Sequence, residues 1–356
     1  MISIILGTRP EIVKMSPVIK ALEEKNEDYY ILHTGQHYSK ELDEIFFQEF
    51  NLPQPKYNLR VGSGSHAQEI GKMLIGIENV LVQEKPDIVL VQGDTNTTLA
   101  GALTASKLKI KAGHVEAGLR SYDRNMPEEL NRILADHCSD LLFSPTKNSE
   151  EILLKEGIPK DKIFVTGNTI VDAVQQNIDR IESSDILKKL NLHEKSYFLI
   201  TAHREENVDN KERFKNILNG LELIHGEFNE QIIYPIHPRA KKFLNSFKFS
   251  QENIKFIDPV GYIHFLKLLS NAHLVLTDSG GVQEESCILG VPCVTMRDNT
   301  ERPETLEVGS NILAGANSDS ILEKTKHMLS KKRKWSNPFG DGLAGGRIVS
   351  IVRELT

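Results

Sequence analysis

Short apolar runs alternate with amphipathic segments along almost the whole chain, and that alternation restricts the fold more than any other feature. Strands are expected at 2–6, 29–33, 87–92, 111–116, 140–144 and 162–166, then at 197–202, 231–236, 254–258, 273–277 and 292–296. Helical patterns lie between them, as in EIVKMSPVIKALEEK (11–25) and HAQEIGKMLIGIENVLVQEK (66–85). Continuous apolar strands separated by helices call for parallel sheets covered on both faces. Two such sets in 356 residues exceed one ordinary core, so the fold class expected is α/β with two Rossmann-like doubly wound domains. VTGNTIVDAV (165–174) closes the first set, and the polar stretch 181–195 has weak periodicity. The expected domains are therefore 1–168 and 169–339, with the amphipathic C-terminal segment 340–356 returning to the first.

Composition excludes some functions. The formal charge is −6, and SKKRKW (330–335) is the main basic run, so no nucleic-acid partner is expected. No apolar run reaches ~18 residues, so no membrane partner is expected. MISIILGT at the start is a strand pattern without the basic start or cleavage site of a signal peptide. Cys138, Cys287 and Cys293 lack metal-ligand spacing and read as reduced, mostly core thiols of a cytoplasmic protein.

In open parallel sheets, ligands bind beyond the strand C-termini. Here those ends carry GTRPE, TGQHY, GDTNTT, HVEAG, TAHREEN, PIHPR and DSGG. Ser279, Gly280 and Gly281 precede a helix, and a helix N-terminus after a glycine turn suits a diphosphate. Glu284 and Glu285 follow one turn later, where a carboxylate can accept ribose hydroxyls. Arg302, Arg9 and Lys14 supply positive charge at comparable places. Taken singly, each basic residue reads as a solvated charge and the glycines as a chain reversal; together they favour an anion site.

Three carboxylates stand near the first set of strand ends. Asp94 follows Gly93, and its alternative role is a helix N-cap. Glu116 interrupts a buried-looking strand end, where an unpaired charge is expensive. Glu128 follows Pro127 at a helix start, where an acid is ordinary dipole stabilisation, and Arg132 one turn on offers an ion pair. His203 and His237 end strands and suit proton or charge transfer; His114 and His37 read as hydrogen-bonded structural histidines. No metal motif occurs, and GTRPE replaces the GxGxxG of a nicotinamide site, so no cofactor is expected.

GTRPEIVKMSP, GQH, GDTNTT, GHVEAGLR, PEELNR, TGNTIVDA, AHREEN, LTDSGGVQEE and MRDNTERPE occur in this order. The series, from residue 3 to about 310 with a weaker NPFGDG at 337–342, resembles the non-hydrolysing UDP-N-acetylglucosamine 2-epimerases. The resemblance implies a glycosyltransferase B-like pair of domains facing across a cleft, a homodimer, and neither metal nor nicotinamide. It implies reversible 2-epimerisation of UDP-N-acetylglucosamine through loss and re-addition of UDP, feeding surface polysaccharide synthesis. Carried over by motif, Asp94, Glu116, Glu128 and His203 are the catalytic set. Arg9, Lys14, Arg132, Ser279, Gly280, Gly281, Glu285 and Arg302 are the substrate-binding set. Alternatives are a 2-epimerase for another UDP-2-acetamido sugar, a hydrolysing epimerase, a retaining glycosyltransferase and a non-catalytic UDP-sugar sensor. The chain departs from bacterial relatives at Glu205, at GQHYSKE and at YPIHPRA, regions around a regulatory nucleotide-sugar site in several of them, so altered regulation is expected.

Overall fold

The computed structural model describes residues 1–35, 46–236, 238–244 and 253–355, with backbone alone for 238, 239 and 243. The GQHYSKE segment beyond Gly35, with His37, lies outside the described residues, as does His237. The chain divides into two compact units, Met1–Gln175 with Phe339–Thr356, and Gln176–Pro338.

The first unit holds a seven-stranded parallel sheet: β1 (Ile2–Leu6), β2 (Tyr29–His33), β3 (Tyr57–Asn58), β4 (Ile88–Gln92), β5 (Lys111–Val115), β6 (Leu141–Ser144) and β7 (Ile163–Val165). Its order is β3-β2-β1-β4-β5-β6-β7, so the winding direction reverses between β1 and β4. Those two strands pair Ile2 with Ile88 and Ile4 with Leu90. Both strands are buried throughout, which is why they read as unbroken apolar runs. Ile5, Leu32, Val89 and Val91 pack beneath Met73, Ile77, Ala100, Ala102 and Ala105. Each of the Ile, Leu, Val and Met side chains contributes about 1.5–3 kcal/mol on burial.

Local chemistry explains the flanking helices. Helix Arg9–Glu24 tolerates Pro17 in its interior because the Ser16 hydroxyl donates to the Val13 carbonyl at 2.8 Å, the acceptor that proline leaves vacant. Helix His66–Glu84 starts at a Ser65–Gln68 capping box. The C-terminal helix Ala344–Leu355 packs on Arg9–Glu24 through a Lys25–Ser350 hydrogen bond of 2.6 Å and an Arg353–Glu27 ion pair of 2.6 Å.

The second unit holds β8 (Tyr197–Thr201), β9 (Gln231–Pro235), β10 (Ile254–Ile257), β11 (Leu274–Thr277), β12 (Cys293–Thr295) and β13 (Asn311–Leu313). The order β10-β9-β8-β11-β12-β13 repeats the same winding, with the reversal between β8 and β11. Side chains alternate between two cores: Phe198 and Ile200 enter one, Tyr197 and Leu199 the other. Two strands lie outside the expected set. β3 is a two-residue edge strand, and β13 is three residues beginning with asparagine; neither forms an apolar run.

Candidate active site

The reversal points of the two sheets place the functional candidates, since adjacent loops diverge there and open a crevice beyond the strand ends. In the first unit, Gly7 to Lys14 follow β1 and Gly93 and Asp94 follow β4, with Glu116 one strand further on. Gly93 adopts φ 77°, a conformation that favours glycine. Asp94 does not cap the next helix. Thr95 does: its hydroxyl accepts the Thr98 N–H at 3.2 Å, and Thr98 Oγ1 accepts the Thr95 N–H at 3.2 Å. The cap reading therefore fails by one residue, and the Asp94 carboxylate is left about a third exposed, ion-paired with Arg132.

Arg132 is buried, and its other terminal nitrogen donates to Glu129 Oε2 at 2.8 Å. Glu129 in turn accepts the Ser121 N–H at 2.9 Å, the Ser121 hydroxyl at 3.0 Å and the Tyr122 N–H at 2.8 Å. Asn131 donates to the Asp94 carbonyl at 3.0 Å. Helix Pro127–Cys138 thus holds Asp94 by side chain and by backbone. The anticipated Glu128–Arg132 ion pair is replaced by these contacts. Glu128, half-buried in the first helical turn, has no hydrogen bond or ion pair among the described residues.

Glu116 sits at φ 73°, a left-handed conformation rare for a residue with a side chain. The N–H groups of Glu116 and Ala117 both reach the Phe143 carbonyl, at 3.0 and 3.1 Å, which holds the turn. Its carboxylate is buried and accepts Lys14 Nζ at 2.7 and 2.6 Å on its two oxygens, with the Gln92 amide as a further donor. Lys14 is itself buried. Arg9 stacks over the Phe46 ring, 5.5 Å from its centroid. Glu11, not among the expected site residues, links two of these loops. It accepts the Gly7 N–H at 2.9 Å and the Thr8 hydroxyl at 2.8 Å, and the Thr95 hydroxyl at 2.8 Å. Burial pushes its carboxyl up to about 7, against the opposing effect of the Thr95 and Thr8 hydroxyls and nearby backbone N–H groups.

In the second unit, Ser279, Gly280 and Gly281 lie at the head of helix Gly280–Ile288, directly after β11. A Cβ on Gly280 would meet Glu301 Oε1, so a larger residue there would displace the Glu301 carboxylate. Arg302 is buried and its Nε donates to Glu284; Glu285 lies buried in the same helix. His203 follows β8 and is 44% exposed at its side chain, so part of the ring is open to solvent. Its Nδ1 is 3.1 Å from Asp278 Oδ1. Asp278 is fully buried and also accepts the N–H groups of His203 and Arg204, each at 3.0 Å, and the Asn207 amide at 3.2 Å. Burial opposes its charge, yet His203 and these donors hold its carboxyl down at about 2. Beside it, Pro235, Pro259, Val260, Phe265 and Val282 wall a cavity of about 230 Å³ whose polar rim includes His203 and Ser279.

Glu11, Gln92, Glu129 and Asp278 thus contact the expected site residues or the loops that carry them, which spacing did not reveal. Asp278 alone carried a signal, as the acid ending β11 directly before the glycine turn. The thiols of Cys287 and Cys293 are buried, with Cys287 pushed up by burial to about 11. Among the described residues, no cluster of His, Cys, Asp or Glu suits a metal ion, and no helix is long and apolar enough to cross a membrane.

Carboxylates gathered at the strand ends of one Rossmann-ordered sheet, and a glycine turn at a helix N-terminus beside an apolar cavity on the other, are the arrangement of two-domain α/β enzymes that handle nucleotides. The family profile described as UDP-N-acetylglucosamine 2-epimerase matches residues 20–353. The UDP-N-acetylglucosamine 2-epimerase of Methanocaldococcus jannaschii is 59% identical, over 99% of this chain and 98% of that protein. Its crystal structure in complex with UDP-GlcNAc and UDP superposes with a TM-score of 0.95, covering 99% of each chain. A Pseudomonas aeruginosa UDP-2,3-diacetamido-2,3-dideoxy-D-glucuronate 2-epimerase is 41% identical, over 99% of each. The chain belongs to the UDP-N-acetylglucosamine 2-epimerase family and shares its glycosyltransferase B-like fold class.

Proposed function

We propose that the chain interconverts UDP-N-acetylglucosamine and UDP-N-acetylmannosamine by eliminating and re-adding UDP. The observation that carries this reading is the contrast among three carboxyl groups: Asp94 held by Arg132, Glu116 held by Lys14, and Glu128 with no partner among the described residues. The hydrogen at C-2 of the sugar is not acidic, and no electron sink is at hand to remove it directly. Loss of that proton with rupture of the bond from C-1 to the UDP oxygen gives 2-acetamidoglucal and UDP. UDP then returns to C-1 while a proton enters C-2 from the opposite face. Carboxyl groups in different settings are suited to take and return that proton.

The second unit supplies the leaving-group site in this reading. The uracil occupies the apolar cavity, Glu285 takes the ribose hydroxyls, and the diphosphate lies at Ser279, Gly280 and Gly281 with Arg302 and His203 as cationic or hydrogen-bonding partners. Asp278 accepts from His203 Nδ1 and leaves Nε2 for the phosphate. In the first unit, Lys14 orients Glu116, Arg132 orients Asp94, and Arg9 adds charge for the nucleotide. The working form is a cytoplasmic homodimer without cofactor, with its product consumed in surface polysaccharide synthesis. The three cysteines, all unpaired, accord with a reducing compartment.

Incubation with UDP-N-acetylglucosamine and chromatography of the products tests the proposal. An equilibrium mixture of the two UDP-sugars supports it. Equimolar free UDP and N-acetylmannosamine would replace it with the hydrolysing reaction. The identity to the diacetamido-glucuronate epimerase favours one second reading, a UDP-2-acetamido sugar bearing a C-3 amide or a C-6 acid; faster turnover of such a substrate would establish it.

A further inference from the structure

Behind the carboxylates lies a buried pair that the mechanism above does not use. His114, on β5 two residues before Glu116, is fully buried. Its Nδ1 is 2.6 Å from Asp136 Oδ1, and its Nε2 is 2.7 Å from the carbonyl oxygen of Gly93, the residue before Asp94. Asp136, in the last turn of helix Pro127–Cys138, uses Oδ2 to accept the N–H of Gly118 at 3.2 Å, two residues after Glu116. Arg120 reaches the same oxygen at 2.7 Å and is anchored to Glu156 at 2.9 and 2.6 Å.

We propose that His114 and Asp136 are positioning residues that fix the Asp94 turn relative to the Glu116 turn. Gly93 and Glu116 both take left-handed conformations, at φ 77° and 73°; the Gly93 N–H reaches the Val115 carbonyl at 3.0 Å and the Glu116 N–H the Phe143 carbonyl at 3.0 Å, and the His114–Asp136 pair adds a side-chain link between the turns. His114 joins the carbonyl of one turn to the carboxylate that receives the N–H of the other. The path lies inside one unit, with the His114–Asp136 and Asp136–Gly118 bonds buried and the His114–Gly93 bond partly so, and a hydrogen bond shielded from water is costly to break. A displacement of about 1 Å in a proton-transferring group lowers a rate by about 10²-fold.

Two isosteres separate the two bonds. His114→Asn keeps a donor near the Nδ1 position, for Asp136, and loses the Gly93 bond. His114→Gln keeps a donor near the Nε2 position, for Gly93, and loses the Asp136 bond. The inference rests on the 2-epimerase reading, so wild type is assayed beside both variants, together with UDP affinity and thermal midpoint. Because Gly93 adjoins Asp94, His114→Asn should lose about 10- to 100-fold in kcat with UDP affinity unchanged, and His114→Gln should lose less. Both variants within about twofold of wild type in kcat, or losing kcat and UDP affinity in step, would overturn the proposal. If His114→Asn does not fold, Asp136→Asn, which retains an acceptor for Gly118, must show the same kcat-selective loss, and its absence overturns the proposal. If wild type itself does not turn over, the functional reading fails separately; crystal structures of wild type and variant then decide, since superposable Gly93–Asp94 turns would refute the positioning role.

Discussion

Replacing Glu11 by glutamine should change how stability depends on pH. Glu11 is 1% exposed, and its carboxyl is raised from 4.5 to about 7, chiefly by burial. A raised folded-state value means that the proton is bound more tightly in the folded chain than in the unfolded one. The associated stability is fully present below pH 4.5 and is lost as pH rises through about 7. Summed between pH 5 and pH 8, that displacement amounts to about 2–3 kcal/mol of lost stability. Glutamine keeps the shape, keeps an oxygen for Gly7 and Thr8, and does not titrate. Urea unfolding of wild type and Glu11→Gln at both pH values, followed by circular dichroism, gives the difference of differences. The variant should gain about 2–3 kcal/mol relative to wild type on going from pH 5 to pH 8. Parallel profiles would refute the argument that burial dominates the Thr95, Thr8 and backbone donors.

Further outcomes are expected from the same contacts. Asp94→Asn, Glu116→Gln and Glu128→Gln should each lose at least ~10²-fold in kcat while still binding UDP by calorimetry, and near-normal turnover removes that residue from the acid–base set. Arg302→Ala should weaken UDP binding and also destabilise the second unit by about 3 kcal/mol, because it takes an ion-pair partner from fully buried Glu284; unchanged UDP affinity refutes the nucleotide role. Asp278, held down at about 2, contributes about 2 kcal/mol that is present above pH 4 and lost as pH falls through 2. Asp278→Asn should lose that acid sensitivity in unfolding experiments and lower kcat through a misoriented His203; an acid profile identical to wild type contradicts it.

The sheets were legible because strands buried on both faces cannot avoid being apolar, as in Ile2–Leu6 and Ile88–Gln92. The edge pieces were not, since Tyr57–Asn58 makes only two pairings and is half open to solvent. The strand ends carrying Asp94, Glu116, His203 and Ser279 could be read from polar residues that interrupt apolar runs. Their partners could not. Whether Arg132 meets Glu128, Glu129 or Asp94 depends on where β4 delivers Asp94 relative to helix Pro127–Cys138, and helical spacing holds no record of that. The same applies to Lys14 and Glu116, 102 residues apart in sequence yet in direct contact. A helix N-cap is the alternative that the neighbours of Asp94 leave open, and only the Thr95–Thr98 box shows that the helix begins one residue later. His114 reads as structural from sequence; its two hydrogen bonds show which turns it joins.

Proton exchange at C-2 tests the central claim most directly. Purified protein with UDP-N-acetylglucosamine in deuterated water, followed by proton NMR, should give the manno epimer with deuterium at C-2 and then deuterium in the gluco pool as the two equilibrate. Epimer that retains hydrogen at C-2, or prolonged incubation with neither exchange nor epimer, would contradict elimination and re-addition at these carboxylates.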